Sequence, residues 1–203
     1  MLTKKRGFSL VELMLALLLG SVLLAMVIGL YVTSVSSAAK SLKYSRLRTD
    51  LQSIMSIMET DIRRAGYGGG DFLVGSGGTK TVDSLNSGQS KCIVYSYNHN
   101  SAAVITDTNR MGFRFSVADH EIQFGTAVDP LATNCYLKGN WTALSDNQFI
   151  KISDLNFVES VVSSATASIR SVEINLSAKL VADGSYKHTI STRVQVRNLE
   201  FLP

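Results

Sequence analysis

Proline is nearly missing from this chain: two occur among 203 residues and the first is Pro130, so no proline ring interrupts any helix that the first 129 residues can form. Cysteine is as sparse. Cys92 and Cys135 are the whole complement, which excludes a disulfide-scaffold miniprotein and a multi-cysteine zinc module. At 18% the charged residues are too few for a coiled-coil rod, while 45% hydrophobic residues are too many for a disordered chain. The basic excess of +4 is local. Lys4, Lys5 and Arg6 supply three of those charges, and beyond residue 7 there are 17 basic residues against 16 acidic ones, so the net charge says almost nothing about partners. His99, His120 and His188 are scattered without metal-ligand spacing. Asp119-His120-Glu121 reads as a hairpin turn with solvated charges, and no G-x-S-x-G nucleophile elbow or phosphate-binding glycine loop is present. The expectation is a protein with no catalytic residue, no metal and no cofactor.

What is abundant is apolar sequence, and it is concentrated. From Leu13 to Ala39 there are 27 consecutive residues without a formal charge. As a helix they would reach roughly 40 Å, against a bilayer core of about 30 Å. A secretory signal peptide would have a shorter apolar run followed by a small-x-small cleavage site, and Ser34 to Ala39 offers only a poor one. The alternative is cleavage before the apolar run, which keeps the helix in the mature protein.

The segment Lys4-Lys5-Arg6-Gly7-Phe8-Ser9-Leu10-Val11-Glu12-Leu13 resembles the class III leader and N-terminal motif of type IV prepilins and type II secretion pseudopilins. The resemblance implies that prepilin peptidase cuts between Gly7 and Phe8, that the new Phe8 amine is N-methylated, and that Glu12 serves subunit recognition during assembly. Physical reasons accompany each part. Gly7 lets the backbone enter a protease cleft without a side chain, and a lone carboxylate in a membrane segment costs a few kcal/mol unless a partner answers it. Glu12 lies four residues from Phe8, on the same helix face, where the helix dipole favours negative charge.

The helix is expected to continue. Leu47, Leu51, Ile54, Met58, Ile62 and Ala65 recur at spacings of three and four, an apolar stripe at helical period, and Gly66 supplies the stop. Phe8 to Ala65 would be a helix of about 87 Å. Gly20, Ser21 and Gly29 are small residues of the kind common in membrane helices. Lys40, Lys43, Arg46 and Arg48 around Tyr44 suit anionic headgroups or DNA, or acidic groups on neighbouring subunits. Residues 66–78 hold seven of the fifteen glycines and read as a flexible linker. Beyond them Ile93, Tyr95 and Tyr97 alternate, as do Phe113, Phe115 and Val117, with Ile122 and Phe124 following. Val172 to Leu180 and Ile190 to Val196 alternate on either side of Asp183-Gly184, a hairpin. The fold class is therefore α+β, of type IV pilin-like build: a long N-terminal helix packed on an antiparallel sheet.

Four regions follow: residues 1–7 as cleaved leader, 8–39 as membrane-spanning and fibre-core half of the helix, 40–65 as its amphipathic half, and 66–203 as a β-rich head. Asp61-Ile62-Arg63-Arg64-Ala65-Gly66-Tyr67-Gly68-Gly69, then Gly139-Asn140-Trp141-Thr142-Ala143-Leu144, Leu155-Asn156-Phe157 and Val194-Gln195-Val196-Arg197-Asn198 resemble PilW-type minor pilins. That resemblance implies a structural subunit that primes type IV pilus assembly near the tip and supports twitching motility, adhesion or DNA uptake. Its implied partners are other minor pilins, the major pilin, prepilin peptidase, the inner-membrane assembly platform, a tip adhesin and, before assembly, inner-membrane lipid; nucleic acid enters only indirectly. The implied location is the inner membrane with a periplasmic head, then the pilus at the cell surface. A J-type pseudopilin of type II secretion and a single-pass periplasmic binding module are the competing readings. In such an oxidising compartment Cys92 and Cys135 are expected to pair.

Overall fold

The computed structural model describes residues 7, 9–88 and 90–201; Lys4, Lys5, Arg6 and Phe8 lie outside them. The chain divides into two units, Met1–Lys43 and Tyr44–Pro203. Helix α1 (Leu10–Ile62) runs 53 residues without a break, as a proline-free sequence permits. In the first unit its side chains are exposed all round, whereas in the second it buries Leu47, Leu51, Ile54, Met55, Met58 and Ile62. The 47–62 stripe is thus the buried face that its spacing predicts, with Met55 widening it.

Two antiparallel sheets pack on that face. The first is a meander, β1 (Val82–Ser87), β2 (Ser90–Ser96), β3 (Arg110–Ser116), β4 (Glu121–Thr126) and β5 (Asn140–Ala143), neighbours in chain order. The second places β6 (Ile150–Ser163) beside β7 (Ala167–Leu180) and β7 beside β8 (Lys187–Gln195), with the short β9 (Glu200–Phe201) pairing the start of β7. Ile93 and Tyr95 of β2, Phe113 of β3, Phe157 of β6 and Ile174 and Leu176 of β7 join the helix stripe in a single apolar core. One sheet was expected and two are found. Within β6 the register shifts between Ile152 and Asp154, and this bulge changes the phase of the buried side chains, from Ile150 and Ile152 to Leu155 and Phe157.

The sheets are stitched by polar side chains. The Asn86 amide donates to the Phe157 carbonyl and its oxygen accepts from the Phe157 N–H at 3.0 Å, satisfying the backbone of an edge strand as a neighbouring strand would. Beside it lies a buried charge cluster. Arg170 of β7 donates to both oxygens of Glu200 at 2.8 and 3.0 Å and to Glu159 at 2.6 Å, while the Thr81 N–H donates to Glu200 at 2.6 Å. Burial pushes the Glu200 carboxyl up, but the bonds from Arg170 and Thr81 outweigh it and hold the group below its usual range.

The glycine-rich stretch is not the flexible linker expected. Val74 pairs with Lys80 in an isolated bridge, and Phe72 and Val74 are buried. Gly66 has φ +75° and Gly68 φ +115°, and a Cβ on Gly68 would stand 2.5 Å from the Phe72 ring. The glycines therefore allow a tight, packed path rather than a loose one. Val74 also belongs to a second, smaller core with Cys92, Val94, Val128, Ala132 and Cys135. It fills the face of the first sheet turned away from α1, where Cys92 and Cys135 form a disulfide.

Two outcomes test this packing. Closing a loop of about 44 residues stabilises by about 4 kcal/mol in the chain-entropy model, so replacing both cysteines by serine should lower unfolding stability by about 2–4 kcal/mol in a denaturant titration of the micelle-held chain. Because the folded Glu200 carboxyl titrates below its unfolded value of about 4.3, its stabilisation is full above that pH and is lost as pH falls through the folded value. Glu200→Gln should cost about 3 kcal/mol at neutral pH and flatten the acid limb of the stability curve; an unchanged limb would show that the cluster does not carry it.

Candidate assembly site: the capped apolar helix

The first unit is unusual in what it leaves uncovered. Its large apolar side chains from Leu10 to Val35 expose between 46% (Val22) and 73% (Leu10) of their surface. Each such side chain gains about 1.5–3 kcal/mol when taken out of water. A helix apolar on every side belongs in lipid or among other helices, and α1 is long and apolar enough to cross a membrane. Its hydroxyls are compatible with that setting. Ser21 donates to the Leu18 carbonyl at 2.8 Å, Thr33 to Gly29 at 2.9 Å and Ser36 to Thr33 at 2.9 Å, so these polar groups are satisfied inside the helix. Nothing lies within 4 Å of a Cβ built on Gly20 or Gly29, so no contact within this chain requires glycine there.

Glu12 is the sole carboxylate of this unit, and the helix itself holds it. The Ser9 carbonyl accepts the first helical bond, from the Leu13 N–H at 3.1 Å, which makes Ser9 the N-cap. The Glu12 carboxylate reaches back to accept from the Ser9 N–H at 3.3 Å. Ser9-x-x-Glu12 is thus half of a capping box, a spacing that the sequence carries beside the relation of Glu12 to Phe8. The bond answers one of the orphan N–H groups of the first turn and sets the negative charge against the positive end of the helix dipole. It leaves the carboxylate in the first turn of α1, four residues from Phe8 in sequence and exposed with the rest of the unit. Gly7 is exposed as well.

The other sequence candidates resolve as follows. Cys92 and Cys135 are structural, joined beneath the first sheet. Of the basic group, Arg46 pairs with Asp50 at 3.7 Å and Asp146 at 3.6 Å and lies over the Phe149 ring. It meets acids of its own chain. His188 faces Tyr44, His99 faces Tyr97 and His120 sits at φ +55° in the β3–β4 turn. Glu121, expected in a solvated turn, opens β4 and is 8% exposed, accepting from Gln123 and Asn147. Among the described residues no group of three His, Cys, Asp or Glu side chains could hold a metal ion. Sequence reading missed Asp61, where the Tyr95 and Tyr97 hydroxyls converge at 3.2 and 3.5 Å. Burial, with Asp61 beside it, pushes the Tyr95 hydroxyl well above its ordinary range, so this pin between α1 and β2 stays protonated at any working pH.

An uncovered apolar helix, capped by its lone acid and continued by an amphipathic face under antiparallel sheets, defines a type IV pilin-like protein that is anchored in membrane through that helix. The comparisons agree with the geometry: the model of the prokaryotic N-terminal methylation motif matches residues 2–28, and that of prepilin peptidase-dependent protein B matches residues 40–196. No curated protein and no solved structure matches. The chain belongs to the prepilin peptidase-dependent protein B family, so it is a pilin- or pseudopilin-type subunit processed by prepilin peptidase.

The cap is testable by itself. Glu12→Leu should speed hydrogen exchange at the Ser9 amide about fivefold in micelles, the equivalent of a cap bond of about 1 kcal/mol, and Glu12→Gln should restore most of the protection. Equal exchange in all three proteins would remove Glu12 from the cap.

Proposed function

We propose that the chain is a minor pilin of the PilW type, a structural subunit and not an enzyme, which primes assembly of a type IV pilus and stays near its tip. Prepilin peptidase cuts between Gly7 and Phe8 and the Phe8 amine is methylated. The head faces the periplasm until the apolar helix leaves the bilayer for the fibre, exchanging lipid contacts for those of other pilin helices. Twitching motility, adhesion and DNA uptake are the activities such a filament supports.

The observation that carries this reading is Glu12. A carboxylate fixed at the first turn of an otherwise apolar helix is positioned to meet a new cationic terminus, its own or that of the adjacent subunit, as helices pack. In a simple anchor the same acid would be a liability. The Ser9 bond leaves the carboxylate further acceptor sites, since a carboxylate can take several donors.

Glu12→Val should leave membrane insertion and processing intact and reduce incorporation into filaments at least tenfold, read by immunoblot of sheared pili; normal incorporation would defeat the proposal. A deletion strain assayed in parallel for surface pili and exported enzymes should lose pili. Loss of export with pili intact would favour the J-type pseudopilin of type II secretion, and a chain still starting at Met1 beside an active peptidase would favour a plain membrane-anchored module.

A further inference from the structure

The charges of the second unit balance: residues 44–203 hold 15 basic and 15 acidic side chains. Their distribution does not. Lys80, Lys91, Arg110, Lys138 and Arg170 each lie within ion-pair distance of a carboxylate, but Arg63, Arg193 and Arg197 are among the basic residues with no such pair among the described residues, Arg193 donating to the Ser171 hydroxyl at 3.0 Å, and Arg64 has a loose one, 3.9 Å from Asp61. These four arginines come together where α1 ends. Three open concavities share Arg63 and Arg197 in their walls, the first about 400 Å³ in volume with Tyr67 and Tyr97 also lining it. A fourth adjoins through Arg193 and Gln195, so the depressions form one trough from the helix end across the β8 strand. Glu59 stands at one end.

The backbone under these side chains is fixed. The Arg197 N–H donates to the Arg63 carbonyl at 3.2 Å, the Asn198 amide donates to the carbonyls of Arg64 and Ala65 at 3.2 and 2.8 Å, and the Gly66 N–H donates to Ser96 at 2.7 Å. The carbonyls left over at the end of α1 are thereby answered by the chain itself. A helix C-terminus carries roughly half a negative charge, which one cation offsets. Four guanidinium groups exceed that need.

We infer that this trough docks a carboxylate-bearing segment of another subunit in the same assembly, an inference that rests on the pilin reading above. Arginine forks match carboxylates with two parallel bonds. The mixture of arginine with Tyr67, 61% exposed, is that of interface hot spots, and a trough already held rigid loses little freedom on binding. Single-stranded nucleic acid also uses arginines and rings, but its binding domains carry a net positive field that this balanced unit lacks. The Tyr97 and His99 rings are already engaged with each other, and Tyr97 with Tyr95.

The test places a photo-crosslinking residue at Tyr67 of the whole chain in piliated cells. The expected product is an adduct with a different pilin-like subunit through a segment containing Asp or Glu. In Arg63→Glu/Arg197→Glu its yield should fall at least tenfold, with the disulfide and the processed amino terminus unchanged, and replacing the partner's acids by arginine should restore it. Adducts undiminished in the double variant, or formed with nucleic acid or with a second copy, would overturn the docking while leaving the pilin reading in place. An unprocessed chain would instead sink the pilin reading.

Discussion

The burial of one helical stripe, Leu47 to Ile62, is the constraint on which the second unit depends. Neither sheet is a closed structure. Each has an apolar face that needs a cover, and α1 is the element whose core residues meet both, with Ile93, Tyr95 and Phe113 from one side and Phe157, Ile174 and Leu176 from the other. An isolated helix of these residues would be marginal in water. Packing makes it permanent, and the Asp61–Tyr95–Tyr97 contact and the Asn198 bonds at its end fix its position along the sheets.

This dependence explains what the sequence discloses. The stripe shows at a period near 3.6 because one face alone is buried, and β7 and β8 show at a period of 2 with Asp183-Gly184 between them for the same reason. Where burial is two-sided the pattern dissolves. In β2 the alternation of Ile93 and Tyr95, continued by Tyr97, is overlaid by Cys92 and Val94, since Ile93 and Tyr95 face the main core and Cys92 and Val94 the smaller one, so the second core was invisible even though both its cysteines were marked. The bulge between Ile152 and Asp154 split β6 into two short signals with opposite phase. The Glu159–Arg170–Glu200 cluster adds Glu200 and the distant Thr81 to a cross-strand pair of β6 and β7, and that convergence has no local signature. Ser9-x-x-Glu12 is the opposite case: a three-residue spacing legible from the start, and eclipsed by the relation of Glu12 to Phe8.

The two units also differ in how they handle polar groups, and this separates their roles. In the second unit the burial of charge is nearly complete in its compensation: among the described residues the one buried side-chain nitrogen or oxygen without a hydrogen-bond partner is Arg110 Nε. A head satisfied to that degree, with a disulfide and a bidentate Arg170–Glu200 pair, has little left to gain by refolding around a partner. It can offer only surface, as the arginine trough does.

The first unit is built the other way. The Ser21, Thr33 and Ser36 hydroxyls and one oxygen of its lone carboxylate are bonded within the helix, while its apolar side chains have no cover of their own. Apolar contact is nondirectional, so by itself it would admit lipid and any similar helix equally and could not set a register. A single charged group at one end can, because sliding a neighbouring helix by one turn of about 5.4 Å separates an ion pair that low-dielectric surroundings make strong. In the pilin proposed above, grease would supply the drive to associate and Glu12 the position, and removing either would leave the other without a structural outcome.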